Sequence, residues 1–272
     1  MPAAKTHADT YEVFALRYAE RTARTRRESF VFDDNHDAPH PIDYYVWVIR
    51  NDSRTLVVDT GFDRAEAKAR NRPIERTPAE ALALLDIDAA RVEDVVITHL
   101  HYDHAGSLGD FPAARFHLQA AEMAYATGPC MCHGELRQPF TADHVCKMVQ
   151  NVYSGRVEFA EGDREIAPNV TLHKIGGHTG GVQCVRVLTK RGWVVLASDA
   201  SHFYENFQKR KLFPIVLDAQ LMLRGFTRLE ELAETPDHVI PGHDPLVRKL
   251  YPAERAQLEG VVHRLDVAPK PQ

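Results

Sequence analysis

The stretch Thr98–Gly106 constrains this chain more than any other part of its sequence. It places three histidines and an aspartate within six residues, directly after the apolar run Val95–Ile97. Imidazole and carboxylate groups bind zinc and similar divalent ions. If the apolar run is a buried strand, His99 and His101 leave its end on the same side. A turn then brings the aspartate and the third histidine round to a second ion; the alternative is a polar loop that binds no metal.

The overall composition is that of an ordinary globular protein with an unusual number of histidines. The chain has 272 residues, 26% charged and 44% hydrophobic, with 15 histidines and a net charge of −5. This length suits one large α/β domain or two smaller ones, and no basic face indicates a nucleic-acid partner. The sequence shows neither a membrane-spanning run nor the apolar core of a signal peptide. We therefore expect a cytoplasmic protein with reduced thiols and no membrane partner.

Strands and helices follow one another in two successive rounds, which predicts an α/β fold. Apolar or alternating runs predict strands at 11–18, 30–32, 44–49, 55–59, 92–98, 115–118, 157–160, 170–175, 182–188, 193–198 and 239–240. Helical patterns predict helices at 64–70, 78–85, 120–126, 142–149, 218–234 and 252–262. Two mixed sheets would pack face to face with helices outside, as a four-layer αββα sandwich. We expect one domain over 1–272, with halves of about 10–155 and 156–262 and a frayed tail at 266–272.

Further polar residues stand at the ends of predicted strands. In the second half, His178 lies in a glycine-rich turn, Asp199 follows a buried strand, and His243 follows a short strand and a glycine. Each alone is more often structural, but their recurrence alongside the first motif argues against chance. Asp59 ends a strand of the first half, and we expect it to hydrogen bond near the metal loop. The alternative for Asp59 is a cap of the next helix.

Together these residues resemble the metal ligands of the metallo-β-lactamase superfamily, over about residues 10–260. Within that superfamily the chain is most similar to the N-acyl-homoserine lactonases, which act in quorum quenching. The resemblance implies two divalent ions, zinc by default, with iron, manganese or cobalt as alternatives. It assigns His99, His101 and His178 to the first ion, Asp103, His104 and His243 to the second, and Asp199 to both as a bridge. The segments 199–201 and 205–207 also resemble the lactonase pattern.

Two positions depart from the lactonase pattern. Lactonases of this type often place a tyrosine three residues after the bridging aspartate, whereas this chain has His202 there and Tyr204 two residues later. The glycine-rich turn usually contains a proline where this chain has Gly180. We expect the second change to alter the rigidity of the turn but not metal binding.

The resemblance implies a hydrolase that opens a lactone ring, most of all that of N-acyl-homoserine lactones. A hydroxide that bridges the metals would attack the carbonyl. Asp103 would carry a proton to the leaving alkoxide, and His202 or Tyr204 would donate a hydrogen bond to the oxyanion. For Tyr204, packing is an equal alternative. The enzymatic alternatives are a glyoxalase II-like thioesterase and a lactonase or esterase for another small substrate.

Other members of the superfamily fit less well. A β-lactamase typically carries cysteine where Asp199 stands, a nuclease carries an extra domain, and a di-iron redox protein needs a flavin domain. A binding protein that does no chemistry would lack one or more ligands, yet all seven positions are filled. The expected partner is therefore a small lactone or ester, bound by a monomer or a homodimer.

Three further features of the sequence have open interpretations. The irregular segment 127–153 predicts a lid over the substrate, although Cys130, Cys132, His133 and Cys146 are conceivable ligands of another metal. The arginine-rich segment 19–27 predicts a solvated hairpin loop. Candidate walls of an acyl-chain groove, or else core residues, are Trp47, Met131, Phe140, Phe203 and Met222.

Overall fold

Two mixed β-sheets form the centre of the protein, whose computed structural model describes residues 10–270. The strands are β1 Glu12–Arg21, β2 Ile42–Asn51, β3 Arg54–Val58, β4 Asp94–Val96, β5 Arg115–Gln119, β6 Val157–Ala160, β7 Arg164–Ala167, β8 Val170–Lys174, β9 Gln183–Thr189, β10 Gly192–Ser198, β11 Val239–Pro241 and β12 Val262–Arg264. Within the described range, one sheet runs β12-β1-β2-β3-β4-β5-β6 and the other β11-β10-β9-β8-β7. Both sheets mix parallel and antiparallel pairs, which confirms the predicted fold class.

Helices cover the outer faces of the two sheets. They are α1 Arg64–Ala69, α2 Pro78–Ala83, α3 Tyr102–Ala105, α4 Ala120–Ala126, α5 Gly134–Arg137, α6 Ala142–Tyr153, α7 Tyr204–Lys209, α8 Ala219–Leu232 and α9 Leu246–Leu250. Local sequence explains where several begin. Thr77 and Glu80 form the predicted capping box at the start of α2, and the Asp218 side chain accepts from the Leu221 N–H to cap α8.

The alternation of side chains between the two faces of each strand explains why the fold has four layers. In β1, Val13 and Ala15 enter a core shared with strands of the smaller sheet, whereas Phe14 and Leu16 enter a second core under the helices of the larger sheet. Successive side chains of a strand point to opposite faces, so a sheet covered on both sides needs apolar residues at nearly every position. That need accounts for the almost continuous apolar sequence of β1 and β2.

Two predicted elements are wrong, and tertiary contacts explain both. Residues 30–32 form no strand: Phe30 is buried against Phe203, and Phe32 is exposed. Residues 252–262 form no long helix, because the chain turns back there and Val262 pairs with Leu16 of β1. Helical spacing of apolar residues does not reveal such pairing. The sequence interpretation also missed the strands β7 and β12 and the short helices α3, α5, α7 and α9.

The second half of the chain contributes strands to both sheets, and the end of the described chain is packed. β6, from the predicted second half, and β12, which begins where that half was predicted to end, complete the larger sheet. In the predicted tail, Asp266 is buried against Arg264 and the Lys270 N–H donates to the Leu250 carbonyl at 2.7 Å. Residues 271 and 272 lie outside the described range. No helix among residues 10–270 is long and apolar enough to cross a bilayer.

Parallel strand pairs bring the predicted site residues to one edge of the sandwich. β3 and β4 run parallel in the larger sheet, and β10 and β11 run parallel in the smaller one. Asp59 follows β3, Asp199 follows β10, and His243 comes two residues after β11. Because side chains beyond the carboxyl ends of parallel strands meet at the same edge, this topology gathers a site there.

Candidate metal centre

All seven predicted metal ligands lie in one buried cluster between the two sheets. None is more than 8% exposed. The loop after β4 and helix α3 supply four of them, the loop between β8 and β9 one, and the segments after β10 and β11 one each. The residues are His99, His101, Asp103, His104, His178, Asp199 and His243.

Three histidines and one carboxylate oxygen form the first group of this cluster. His178 Nε2 lies 3.3 Å from His99 Nε2 and 3.0 Å from His101 Nδ1. Asp199 Oδ2 lies 3.3 Å from His178 Nε2 and 3.8 Å from His99 Nε2. One ligand atom from each of these four residues lies within 4.8 Å of all the others. Three imidazoles and a carboxylate form a donor set that zinc and other transition metals accept.

The other oxygen of Asp199 faces the second group. Asp199 Oδ1 lies 2.9 Å from His243 Nε2 and 3.3 Å from His104 Nε2. Asp103 Oδ2 lies 3.8 Å from each of these two nitrogens. The two carboxylate oxygens of Asp199 thus point at different groups of ligands, as a carboxylate shared by two ions would.

Hydrogen bonds on the outer side of the rings turn the inner nitrogens toward the cluster. His178 Nδ1 lies 2.7 Å from the Ile215 carbonyl, and His243 Nδ1 lies 2.8 Å from the Asp43 carbonyl. A carbonyl only accepts, so each Nδ1 carries the proton and each Nε2 keeps its lone pair. Metal-binding histidines are generally oriented by outer contacts of this kind.

The described residues fit a divalent metal because the cluster leaves buried polar atoms without partners. His104 Nε2 and Asp199 Oδ1 are buried and have no hydrogen bond of acceptable geometry. Buried polar atoms are almost always paired, so atoms of this kind need an explanation. A cation shared between them would supply the missing interaction. The His/Asp cluster is therefore suited to hold divalent metal.

The histidines of the two groups differ in how strongly they hold a proton. Burial, followed by the neighbouring histidines, holds the pKa of His99 and of His101 well below the usual range. Burial also acts on His104, but the carboxylates around it outweigh burial and raise its pKa well above the usual range. The pKa of His243 is raised in the same way, mainly by Asp199 against the effect of burial. The second group thus attracts positive charge more strongly than the first.

Asp59 lies where the sequence predicted it, behind the metal loop. Its Oδ1 accepts from the Thr98 N–H at 2.7 Å, and its Oδ2 lies 2.8 Å from both Thr98 Oγ1 and His104 Nδ1. Asp59 has a φ of 63° and Ser198, whose hydroxyl contacts Thr98, has a φ of 46°. Residues other than glycine rarely adopt this left-handed conformation, and it concentrates at functional sites.

Sequence reasoning missed Glu122, a second carboxylate behind the cluster. It is fully buried on α4, where its side chain accepts from the Leu100 N–H at 2.9 Å. It also accepts from the Thr179 hydroxyl at 2.6 Å and from the Gly181 N–H at 2.9 Å. Glu122 therefore ties the loop of His99 and His101 to the turn that carries His178. Nothing in the local sequence distinguishes it from a solvent-facing helix residue.

A cavity of about 350 Å³ opens onto the cluster. Its walls include four ligand residues, His101, Asp103, Asp199 and His243, together with His202 and Ile215. Gln138 and Pro139 of the predicted lid segment also line it. Arg21 and Arg24 do so as well, although the sequence predicted their segment to be a solvated loop.

The structure separates the two residues predicted to contact the substrate oxyanion. His202 lines the cavity, its Nε2 lies 2.7 Å from Asp199 Oδ2, and its ring stacks on Phe213 at 3.7 Å. Burial lowers the pKa of His202 to about 3, so the ring is neutral at physiological pH. Tyr204 does not line this cavity. It packs beside Phe207 in the core that β1 shares with strands of the smaller sheet. Its position supports the packing alternative.

The predicted acyl-chain walls and the conceivable cysteine site are not found at the cavity. None of Trp47, Met131, Phe140, Phe203 and Met222 lines it, and four of the five are buried core residues. Among residues 10–270, no cysteine joins a group of ligand atoms close enough to hold a metal. Cys132 and Cys146 are instead exposed.

Comparison with known proteins gives one family and a consistent set of relatives. The family model described as the metallo-β-lactamase superfamily matches residues 41–256. An N-acyl homoserine lactonase of Bacillus cereus is 28% identical over 74% of this chain and 80% of its own length. The N-acyl homoserine lactonase AttM of Azorhizobium caulinodans is 32% identical over 59% of this chain and 61% of its own length.

A solved structure shows the same fold. The crystal structure of a quorum-quenching N-acyl homoserine lactone lactonase superimposes with a TM-score of 0.72 and 21% sequence identity. The match covers 86% of this chain and 92% of that one. At this identity the likeness concerns the fold alone.

Proposed function

Because this chain is a hydrolase that belongs to the metallo-β-lactamase superfamily, we propose that it opens the ring of N-acyl homoserine lactones or closely related small lactones. The proposal includes two divalent ions, zinc by default, held by the seven clustered ligands. The observation that carries it is the position of Asp199, whose two oxygens face the two groups separately. When bound, such a pair of ions supplies a nucleophile from water at neutral pH and polarises a carbonyl oxygen.

The remaining chemistry falls to side chains on the cavity wall. His202 lines the cavity, and the single N–H of its neutral ring points at Asp199. We assign to it the role of holding that carboxylate and, when released from it, of donating the same N–H to the substrate oxygen. Asp103 lies beside the imidazoles of the second group and also reaches the cavity. We assign to it the transfer of a proton to the oxygen that leaves when the ring opens.

A thioesterase of the glyoxalase II kind is the second candidate. The observation that favours it is the presence of Arg24 and Arg72 on the cavity wall, because such cations suit an anionic thioester. The chain's relatives favour the lactonase.

A panel of substrates, tested with the metal-loaded protein, distinguishes the lactonase from the thioesterase. N-hexanoyl and N-decanoyl homoserine lactones are compared with S-lactoylglutathione and with a neutral aryl ester, and hydrolysis is followed by proton release or absorbance. We expect the N-hexanoyl lactone to be hydrolysed fastest, because the predicted walls of a long acyl-chain groove do not line the cavity. Good thioester turnover without lactone turnover would overturn the first candidate. Full activity in a His101→Ala/Asp199→Ala double variant would contradict the metal mechanism.

A further inference from the structure

The cavity above the cluster has a positively charged rim, formed by Arg24 and Arg72. We propose that this cationic rim binds an anionic group of the substrate, a carboxylate or a phosphate. The inference rests on the proposed function, because it concerns the same cavity. It narrows the substrate to a small lactone or ester whose far end is charged.

Four arginines line the cavity, but two of them are already neutralised. Arg21 Nη1 lies 2.8 Å from the Glu28 carboxylate. Arg70 pairs with Glu66, and it also donates to the backbone carbonyls of residues 138 and 140, each at 3.0 Å. These two arginines hold the cavity wall together and have little charge to offer to a ligand.

Arg24 and Arg72 differ because neither forms an ion pair with a carboxylate among residues 10–270. Arg24 donates to the Ser29 hydroxyl at 2.6 Å and to the Glu28 carbonyl. Arg72 donates to the carbonyls of Arg70 at 3.2 Å and Asn71 at 3.3 Å. These neutral acceptors fix the guanidinium groups in place but do not cancel their charge. Burial lowers the pKa of Arg24, as expected for a cation withdrawn from water.

Two phenols leave one O–H free to donate at the rim, because the hydroxyl of one donates to that of the other. Tyr44 and Tyr102 line the same cavity, and their hydroxyl oxygens lie 3.3 Å apart. Guanidinium and hydroxyl groups together are the donors that bind carboxylate and phosphate oxygens in proteins. Aliphatic lining is limited to Ile42, Ala69 and Ile215, apart from Pro139. A short substrate with a charged end suits such walls better than a long alkyl chain.

Binding of stable substrate analogues tests the rim directly. Three lactams that replace the homoserine lactone ring are prepared with acyl chains of equal length ending in a methyl group, a carboxylate or a phosphonate. Their dissociation constants are measured by titration calorimetry on the metal-loaded protein. We expect at least one charged lactam to bind about tenfold more tightly than the neutral one, and we expect added salt to reduce the difference.

Arginine variants separate the rim from the metals, which also attract anions. Arg72→Gln and Arg24→Gln should each remove most of the preference for the charged lactam. Arg72→Gln is the safer variant because Arg72 is less buried than Arg24, although its guanidinium also contacts the Tyr44 and Tyr102 hydroxyls. Arg27→Gln is the matched control, since Arg27 is exposed and pairs with Asp37. A preference that survives in both rim variants, or no preference in the wild type, overturns the inference.

A second pair of probes keeps this result independent of lactone chemistry. The kcat/KM for 4-nitrophenyl butyrate is compared with that for the mono-4-nitrophenyl ester of glutaric acid, which carries a free carboxylate. A preference for the charged ester, lost in Arg72→Gln, without any lactone turnover would overturn the proposed function but support the rim. Lactone turnover without any preference for the charged lactams or for the charged ester would support the proposed function and overturn the inference about the rim.

Discussion

Two buried carboxylates stand behind the histidine cluster, and they support it in different ways. Asp59 contacts a ligand ring directly, with Oδ2 at 2.8 Å from His104 Nδ1. Glu122 contacts no ring; it accepts from the Leu100 and Gly181 N–H groups and from the Thr179 hydroxyl. Asp59 therefore orients one imidazole of the second group, whereas Glu122 fixes the backbone on both sides of the first group.

The difference indicates what each carboxylate contributes. A residue that orients a ring should control the ion held by that ring. A residue that joins two loops should control how firmly both loops are held, and hence stability as well as metal affinity. Burial raises the pKa of Glu122, against the effect of its three donors, so α4 carries an acidic group in an unfavourable environment. Its three hydrogen bonds offset that cost.

The largest effect is expected from Asp59→Ala. The substitution leaves His104 Nδ1 and the Thr98 N–H without their partner. We expect kcat/KM to fall about 100-fold and the metal content after dialysis to fall from the proposed two ions per chain to one. Steady-state kinetics and elemental analysis measure these changes.

The control for this substitution is Asp52→Ala, because Asp52 is exposed in the turn between β2 and β3. Asp59→Asn tests the same idea in case the alanine variant does not fold. Two ions per chain and normal activity in both Asp59 variants would show that His104 needs no orienting carboxylate.

Glu122→Gln should have a smaller effect on turnover and a clearer effect on stability. An amide offers one acceptor oxygen where the carboxylate offers two, so at least one buried donor loses its partner. We expect the free energy of unfolding to fall by about 1–3 kcal/mol. Two ions should remain bound, but about tenfold less chelator should remove them. Denaturant unfolding and chelator titration test this.

Glu135→Gln is the matched control, since Glu135 is exposed on α5. If Glu122→Gln lost one ion and kept its stability, the two carboxylates would act alike. The distinction between orienting a ring and joining two loops would then fail.

The contrast between Asp59 and Glu122 also shows how much of this site the sequence could predict. Asp59, Asp199 and His243 stand just after apolar runs, so their grouping at a sheet edge follows from local pattern and topology. The contacts of Glu122, and the rim of Arg24 and Arg72, depend on how distant segments approach one another, and no local pattern encodes that. The sequence did not show which of His202 and Tyr204 faces the cavity. Helix α7 begins between them, and this change of backbone direction sends their side chains to different sides.

The smallest effect concerns the turn that Glu122 holds, where Gly180 replaces the usual proline. A Cβ at Gly180 would lie 2.9 Å from Tyr125 Cβ and 3.2 Å from its Cγ, so the tyrosine fills the space that a larger residue would need. Gly180 lies outside the left-handed region, so crowding and not backbone strain should set the cost. We expect Gly180→Ala to destabilise the protein by about 1–3 kcal/mol, with less loss of activity than Glu122→Gln.

A double-mutant cycle with Tyr125→Gly distinguishes crowding from a general weakness of the turn. The tyrosine substitution alone is costly, because its ring packs against Phe140, but it also removes the atoms that a methyl group at position 180 would strike. The double variant should therefore be less destabilised than the sum of the two single variants. Gly109→Ala, whose Cβ would meet nothing within 4 Å, is the control and should be nearly neutral. Strict additivity would mean that the cost of a side chain at position 180 does not come from contact with Tyr125, and that helix α4 supports the first group through Glu122 alone.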